Sequence, residues 1–135
     1  MSERRLADTN LIVRFLLRDH EKHAHAARKL IAACHQGQIT LVLLPIVVAE
    51  CVFVLESFYK HSRADIAQVL SDLIASPGIE VSEMPLHLDA LDRYRKSKLH
   101  FVDCVIAATA AANDVAVATF DRDFRRFPDV RVNID

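Results

Sequence analysis

Asp8, Glu50, Asp103 and Asp121 each sit at the edge of an apolar segment or inside one. Asp8 follows Leu6-Ala7, and Glu50 is the only charge in LVLLPIVVAECVFVL, residues 41–55. Asp103 opens FVDCVIAATAAA, and Asp121 follows VAVATF. A carboxylate withdrawn from water without a partner is costly, so its usual fates are pairing, protonation or metal binding. The apolar segments themselves carry no Lys or Arg to pair with. Four such acids gathered in one place repel each other unless a cation sits among them, which points to a divalent-metal site. Taken singly, each acid has a plainer reading: Asp8 and Asp103 as helix caps, Glu50 as the partner of a distant Arg, Asp121 as a turn residue.

The elements that must position these acids are short strands alternating with helices. Arg4 to Ala7 reads as a first strand, followed by a helix through LIVRFLLRD that Asp8 or Thr9 caps. Ala24, Ala27, Leu30, Ile31 and Cys34 recur at spacings of three and four, predicting an amphipathic helix over 21–35 that ends near Gly37. Ile39 to Leu44 is a second strand, and Pro45 opens a helix that runs through Glu50 to about Tyr59. A helix over Arg63 to Ala75 stops at Ser76-Pro77-Gly78, and Ile79 to Val81 is a third strand. Helices over Leu86 to Lys96 and Phe101 to Ala112 follow, the latter ended by a left-handed Asn113. Val115 to Thr119 and Val130 to Asn133 read as two more strands, with a helical turn over Arg122 to Phe127 between them. The expected fold is α/β: a three-layer sandwich with a central, mainly parallel sheet of about four or five short strands flanked by helices. In such sheets ligands bind beyond the carboxyl ends of the strands, where one crevice can collect all four acids.

The bulk properties set bounds around this reading. A chain of 135 residues is expected to be a single domain, 1–135, and 52% hydrophobic residues suffice for a substantial core. Two glycines are too few for an all-β fold rich in tight turns. A net charge of −1 excludes binding to nucleic acid by overall charge, so any such binding needs a local basic patch. Cys34, Cys51 and Cys104 lack a CxxC spacing and lie in apolar or helical surroundings, so they read as buried free thiols suited to a reducing cytoplasm. The start MSERRLADTN has no apolar signal-peptide core, and the run 41–55 is too short and too interrupted to span a bilayer. The expectation is a soluble cytoplasmic protein.

The DTN triplet at 8–10, the lone Glu50, F-V-D-x-x-I-A-A at 101–108 and T-x-D-x-D-F at 119–124 together resemble the PIN domain. More narrowly, the chain is similar to the compact ribonuclease toxins of VapBC-type toxin–antitoxin pairs, with the motifs in the family's order from residue 8 to residue 124. The resemblance implies that Asp8, Glu50, Asp103 and Asp121 are the catalytic, metal-binding acids, with Asn10 supporting Asp8 and Thr119 supplying a hydroxyl. Asp123 stands two residues beyond Asp121 and is the alternative fourth acid; its other role is to stabilise a helix start. The implied cofactor is Mg²⁺ or Mn²⁺, as one ion or two. The implied substrate is single-stranded or looped RNA, and the implied partner is a small antitoxin whose C-terminal segment enters the acidic pocket. Hard cations prefer oxygen ligands, in keeping with an all-carboxylate set.

Two basic segments adjoin the acids. Arg93, Arg95, Lys96 and Lys98 lead into Asp103, and Arg122 and Arg125 follow Asp121, where cations would hold RNA phosphates. Tyr94 and Phe101 are candidates for stacking on a base. His20, His23, His25 and His35 read as a solvated helix face, because no Cys pair or HExxH accompanies them. The helices over 46–58 and 11–17 are apolar enough to offer a homodimer face or a groove for a partner helix. A receiver-type phospho-acceptor is the alternative among α/β domains. It needs adjacent acids after the first strand and a late Lys, and finds Asp8-Thr9-Asn10 and Thr119-Phe120-Asp121 instead. An aspartyl phosphatase needs D-x-D where Asn10 stands. A non-catalytic binding module remains as the third reading.

Overall fold

Leu41, Val42 and Leu43 suit a strand covered on both faces, and they form the centre of a parallel sheet. The computed structural model describes residues 2–17 and 20–134, which cluster into two compact units, Met1–Met84 and Pro85–Asp135. In the first unit, β1 (Glu3–Leu6), β2 (Ile39–Leu43) and β3 (Ile79–Val81) lie in the order β1-β2-β3. Both pairings are parallel, with Arg5 opposite Leu41 and Leu43 opposite Val81. Parallel neighbours need long crossovers, which here are helical. α1 (Thr9–Leu17) and α2 (Glu21–His35) join β1 to β2, and α3 (Pro45–Ser57) and α4 (Arg63–Ile74) join β2 to β3. Arg18 and Asp19, which close the first helix expected from the sequence, lie outside the described residues.

Each helix boundary has a local cause. Asp8 Oδ1 accepts the Leu11 N–H at 2.9 Å and starts α1. Pro45 opens α3 at a position where an N–H has no partner to lose. Ser62 Oγ accepts the Asp65 N–H at 3.1 Å and starts α4. Gly37, at φ +81°, turns the chain out of α2. The core of this unit gathers Ile12, Ile31, Leu41, Leu43, Val48, Val52, Leu55, Leu70 and Ile74. Cys34 and Cys51 are buried with them, and Cys104 is buried in the second unit; all three are free thiols.

The second unit holds α5 (Met84–Lys96, entering from the first unit), α6 (Phe101–Asn113) and a 3₁₀ turn over Arg122–Arg126. Its core includes Leu91, Tyr94, Phe101, Cys104, Ala107 and Phe124. The two strands expected here do not form. Val115–Thr119 and 130–133 meet in a single parallel bridge, Val117 to Val132, through Val117 N–H to Arg131 O at 2.8 Å and Asn133 N–H to Val117 O at 2.9 Å. The described residues thus hold three strands and not four or five. Between the left-handed Asp114 and the turn at Asp121, Val117 alone among the described residues is paired, so no ladder of successive pairs builds up. Asn113 is not the left-handed residue that ends α6: its Nδ2 donates to Thr109 O at 2.8 Å and keeps it helical, and Asp114 takes φ 52°, ψ 47°.

Arg93 is a strut and not an RNA-facing cation. Only 9% exposed, it donates Nη1 and Nη2 to the two oxygens of Asp129 at 2.9 and 2.5 Å and Nε to Asp89 at 3.2 Å, over the Phe127 ring. These acids raise its pKa further. Tyr94 and Phe101 are likewise buried, edge to face at 6.2 Å, so neither stacks on a base.

Two predictions follow from this packing. At Gly78, φ is +79° and an added Cβ would lie 2.2 Å from the Cys34 carbonyl oxygen; at Gly37 the φ is +81° but the space is open. Gly78→Ala should cost about 2–3 kcal/mol or more in urea unfolding, and Gly37→Ala only about 1 kcal/mol; equal costs would show that the Gly78 contact is yielding. Burial pushes the Cys51 thiol up to about 12, and the Glu50 and Asp8 carboxylates add to the rise. A raised thiol contributes stability that is complete below its unfolded value near 9 and is lost as pH climbs towards 12. Iodoacetamide at pH 8 should modify Cys51 only in denaturant, and the stability loss at alkaline pH should be shallower in Cys51→Ala.

Candidate functional site

The first unit carries Asp8 and Glu50. Asp8 stands two residues beyond β1, at the carboxyl end of the strand, and Glu50 sits mid-way along α3. Their exposure differs from the expectation. Asp8, Glu50 and Asp121 are exposed and Asp103 is half-buried, so burial does not force a counter-charge on them. In α3 the reason is helical rotation: Cys51 and Val52 turn inward, while Ile46, Glu50 and Phe53 share the outer stripe. Among the described residues none of the four acids forms an ion pair with Lys or Arg, so Glu50 has no distant Arg partner.

Asp8 also lines a cavity of about 200 Å³ with Asn10, Leu11, Arg14, His23 and Ala26. Arg14 Nη1 reaches the Tyr59 hydroxyl at 3.5 Å. His23 stacks on His20 with ring centres 4.1 Å apart, and His20 Nδ1 accepts the His23 N–H at 3.4 Å. Sequence reasoning placed neither Arg14 nor His23 beside Asp8. The available signal was that Arg14 is the lone charge in LIVRFLL. His20, His23, His25 and His35 are all exposed on or beside α2, as a solvated face requires.

The second unit carries Asp103 and Asp121. Asp103, in the first turn of α6, lines a cavity of about 410 Å³ whose other walls include Ile106, Thr109, Val117, Thr119 and Phe124. Thr119 Oγ1 accepts the Asp121 N–H at 3.0 Å, and Asp121 Oδ1 accepts the Asp123 N–H at 2.9 Å. Asp121 is therefore the cap of the 3₁₀ turn, with Asp123 in its first turn. Thr119 links the cavity that holds Asp103 to the backbone of Asp121. Of the basic residues, Arg95 and Lys96 both pair with Asp92, at 2.6 and 2.8 Å, whereas Lys98, Arg122 and Arg125 are exposed and close no ion pair among the described residues.

Whether these residues suit a metal turns on donor chemistry. Carboxylates and a hydroxyl match a hard divalent cation, which keeps several waters and uses one or two carboxylates directly. Among the described residues no group of three or more His, Cys, Asp or Glu side chains is close enough to hold an ion. The first unit contributes Asp8 and Glu50 as hard oxygen donors, and the second contributes Asp103 and Asp121. No described helix is long and apolar enough to cross a membrane.

A VapC ribonuclease of Aquifex aeolicus (strain VF5) is 27% identical to this chain over 130 residues, covering 96% of each. The sequence also matches the PIN domain over residues 5–130, a span that begins in β1 and takes in all four acids. The chain belongs to the PIN-domain family.

Proposed function

We propose that this protein is a Mg²⁺- or Mn²⁺-dependent endoribonuclease and the toxin of a toxin–antitoxin pair, with Asp8, Glu50, Asp103 and Asp121 as its metal-binding catalytic acids. The observation that carries the reading is that four acids at the family's motif positions are held with no Lys or Arg partner among the described residues. Bound to them, the metal supplies a water of lowered pKa and neutralises charge gathering on the phosphate oxygens. The chain's own residues do the positioning. The Leu11 N–H fixes Asp8, the Thr119 hydroxyl holds the Asp121 backbone, and Asn10 supports Asp8 from the first turn of α1. Lys98, Arg122 and Arg125 bind RNA phosphates as exposed cations; Arg95 and Lys96, already paired with Asp92, contribute less. Hydrolysis leaves a 5′-phosphate and a 3′-hydroxyl. Asp121 is the fourth acid and Asp123 its neighbour at the turn. Exposed Ile46, Phe53 and Phe58 offer an apolar face for a second copy or for the antitoxin. Buried free thiols favour a reducing, cytoplasmic setting.

Purified, partner-free protein incubated with total cellular RNA should generate discrete 5′-phosphate ends with Mg²⁺ or Mn²⁺ and none with EDTA. Asp8→Asn, Glu50→Gln and Asp103→Asn should each lower cleavage by about a hundredfold or more with the melting temperature little changed. Unimpaired cleavage by Asp103→Asn removes that residue from the site, and the absence of ends from folded wild type favours a binding module without activity. Co-expression with the neighbouring reading frame should yield a small protein that co-purifies and blocks cleavage; a chain that purifies alone under those conditions counts against the antitoxin.

A further inference from the structure

The cavity beside Asp8 has walls that the four-acid chemistry leaves unused. α1 supplies Asn10, Leu11 and Arg14, which lie on one side of the helix at spacings of one, three and four, and α2 supplies His23 and Ala26, three residues apart. Its volume of about 200 Å³ is below the roughly 300–1,000 Å³ of pockets that enclose drug-sized ligands, so it admits a single flat group. The walls match such a group: an imidazole, a guanidinium, a side-chain amide, and the apolar surfaces of Leu11 and Ala26. The His23 ring stacks on His20, at 4.1 Å and 23° between planes. Imidazole and guanidinium planes are surfaces on which unpaired bases stack. Asp8 on the same wall disfavours a free anion and leaves a base as the better occupant.

We propose that this cavity receives one unpaired base of an RNA strand, that of the nucleotide next to the bond cut, with His23 as stacking wall and Arg14 as polar anchor. The adjacency to the cut bond rests on the nuclease reading above, because Asp8 marks the reacting phosphate only under that reading. His23 is then a specificity residue and takes no part in the bond-breaking step.

The test has a binding arm and a sequence arm. In EDTA, where nothing is cut, a fluorescein-labelled 12-residue RNA of randomised sequence is titrated with wild type, His23→Ala and His23→Phe. His23→Ala should bind about tenfold more weakly, the loss expected for one stacked base, and His23→Phe should retain binding because it keeps a flat ring. In Mn²⁺, the same RNA pool is cut and the ends are sequenced. Wild type and His23→Phe should show a base preference at one position flanking the cut, and His23→Ala should lose it there alone. Cleavage with an unchanged preference and unchanged affinity in His23→Ala overturns the cavity's role. A uniform fall in cutting with the preference intact also overturns it, because that is the mark of structural damage. A wild type that binds through His23 but never cuts overturns the nuclease reading and leaves base binding in place.

Discussion

Parallel pairing of three very short strands is the constraint on which the first unit depends. A parallel neighbour cannot be reached by a two-residue turn, so each pairing commits the chain to a helical crossover. The crossovers return every strand in the same direction, and their helices begin near the carboxyl edge of the sheet. Asp8 and α3 occupy that edge for the same reason. Arg4 of β1 reaches Glu80 of β3 at 2.7 Å, past the intervening β2, so even the charged face of the sheet is braced across its width.

The hydrogen bonds that start helices are also those that hold the acids. An Asp at a helix start normally serves the backbone alone. Here Asp8 and Asp121 serve it with Oδ1 while also standing among the acids proposed above as catalytic. The capping reading and the catalytic reading are therefore compatible at these two residues. Glu50 differs, since nothing in α3 needs it: its neighbours Cys51 and Val52 fill the core, and the position faces outward beside Ile46 and Phe53.

Much of this was legible from residue order. The periods of α2 and α4, Pro45 at the start of α3 and the breaks at Gly37 and Ser76-Pro77-Gly78 depend on neighbours within a turn, and the structure follows them. Three features were not legible because they depend on distant partners. Arg93 reads as part of a basic run, and only Asp129, brought back by the chain 36 residues later, makes it a buried strut. Tyr94 reads as a free aromatic until Phe101 closes over it. The segments at 115–119 and 130–133 have strand composition, yet a ladder needs successive pairs across two segments, and among the described residues only Val117 and Val132 meet. The acids read from the sequence as withdrawn from water, whereas three are exposed and Asp103 is half-buried. Their selection stands on motif order and on the lack of Lys or Arg partners among the described residues.

The caps at Asp8 and Asp121 have a consequence for side-chain freedom. In each, Oδ1 accepts a backbone N–H at 2.9 Å, so a carboxylate at a chain surface, ordinarily free to rotate, is held in one orientation by the turn it begins. The conformational entropy of these two acids is thus spent in folding, before anything binds to them.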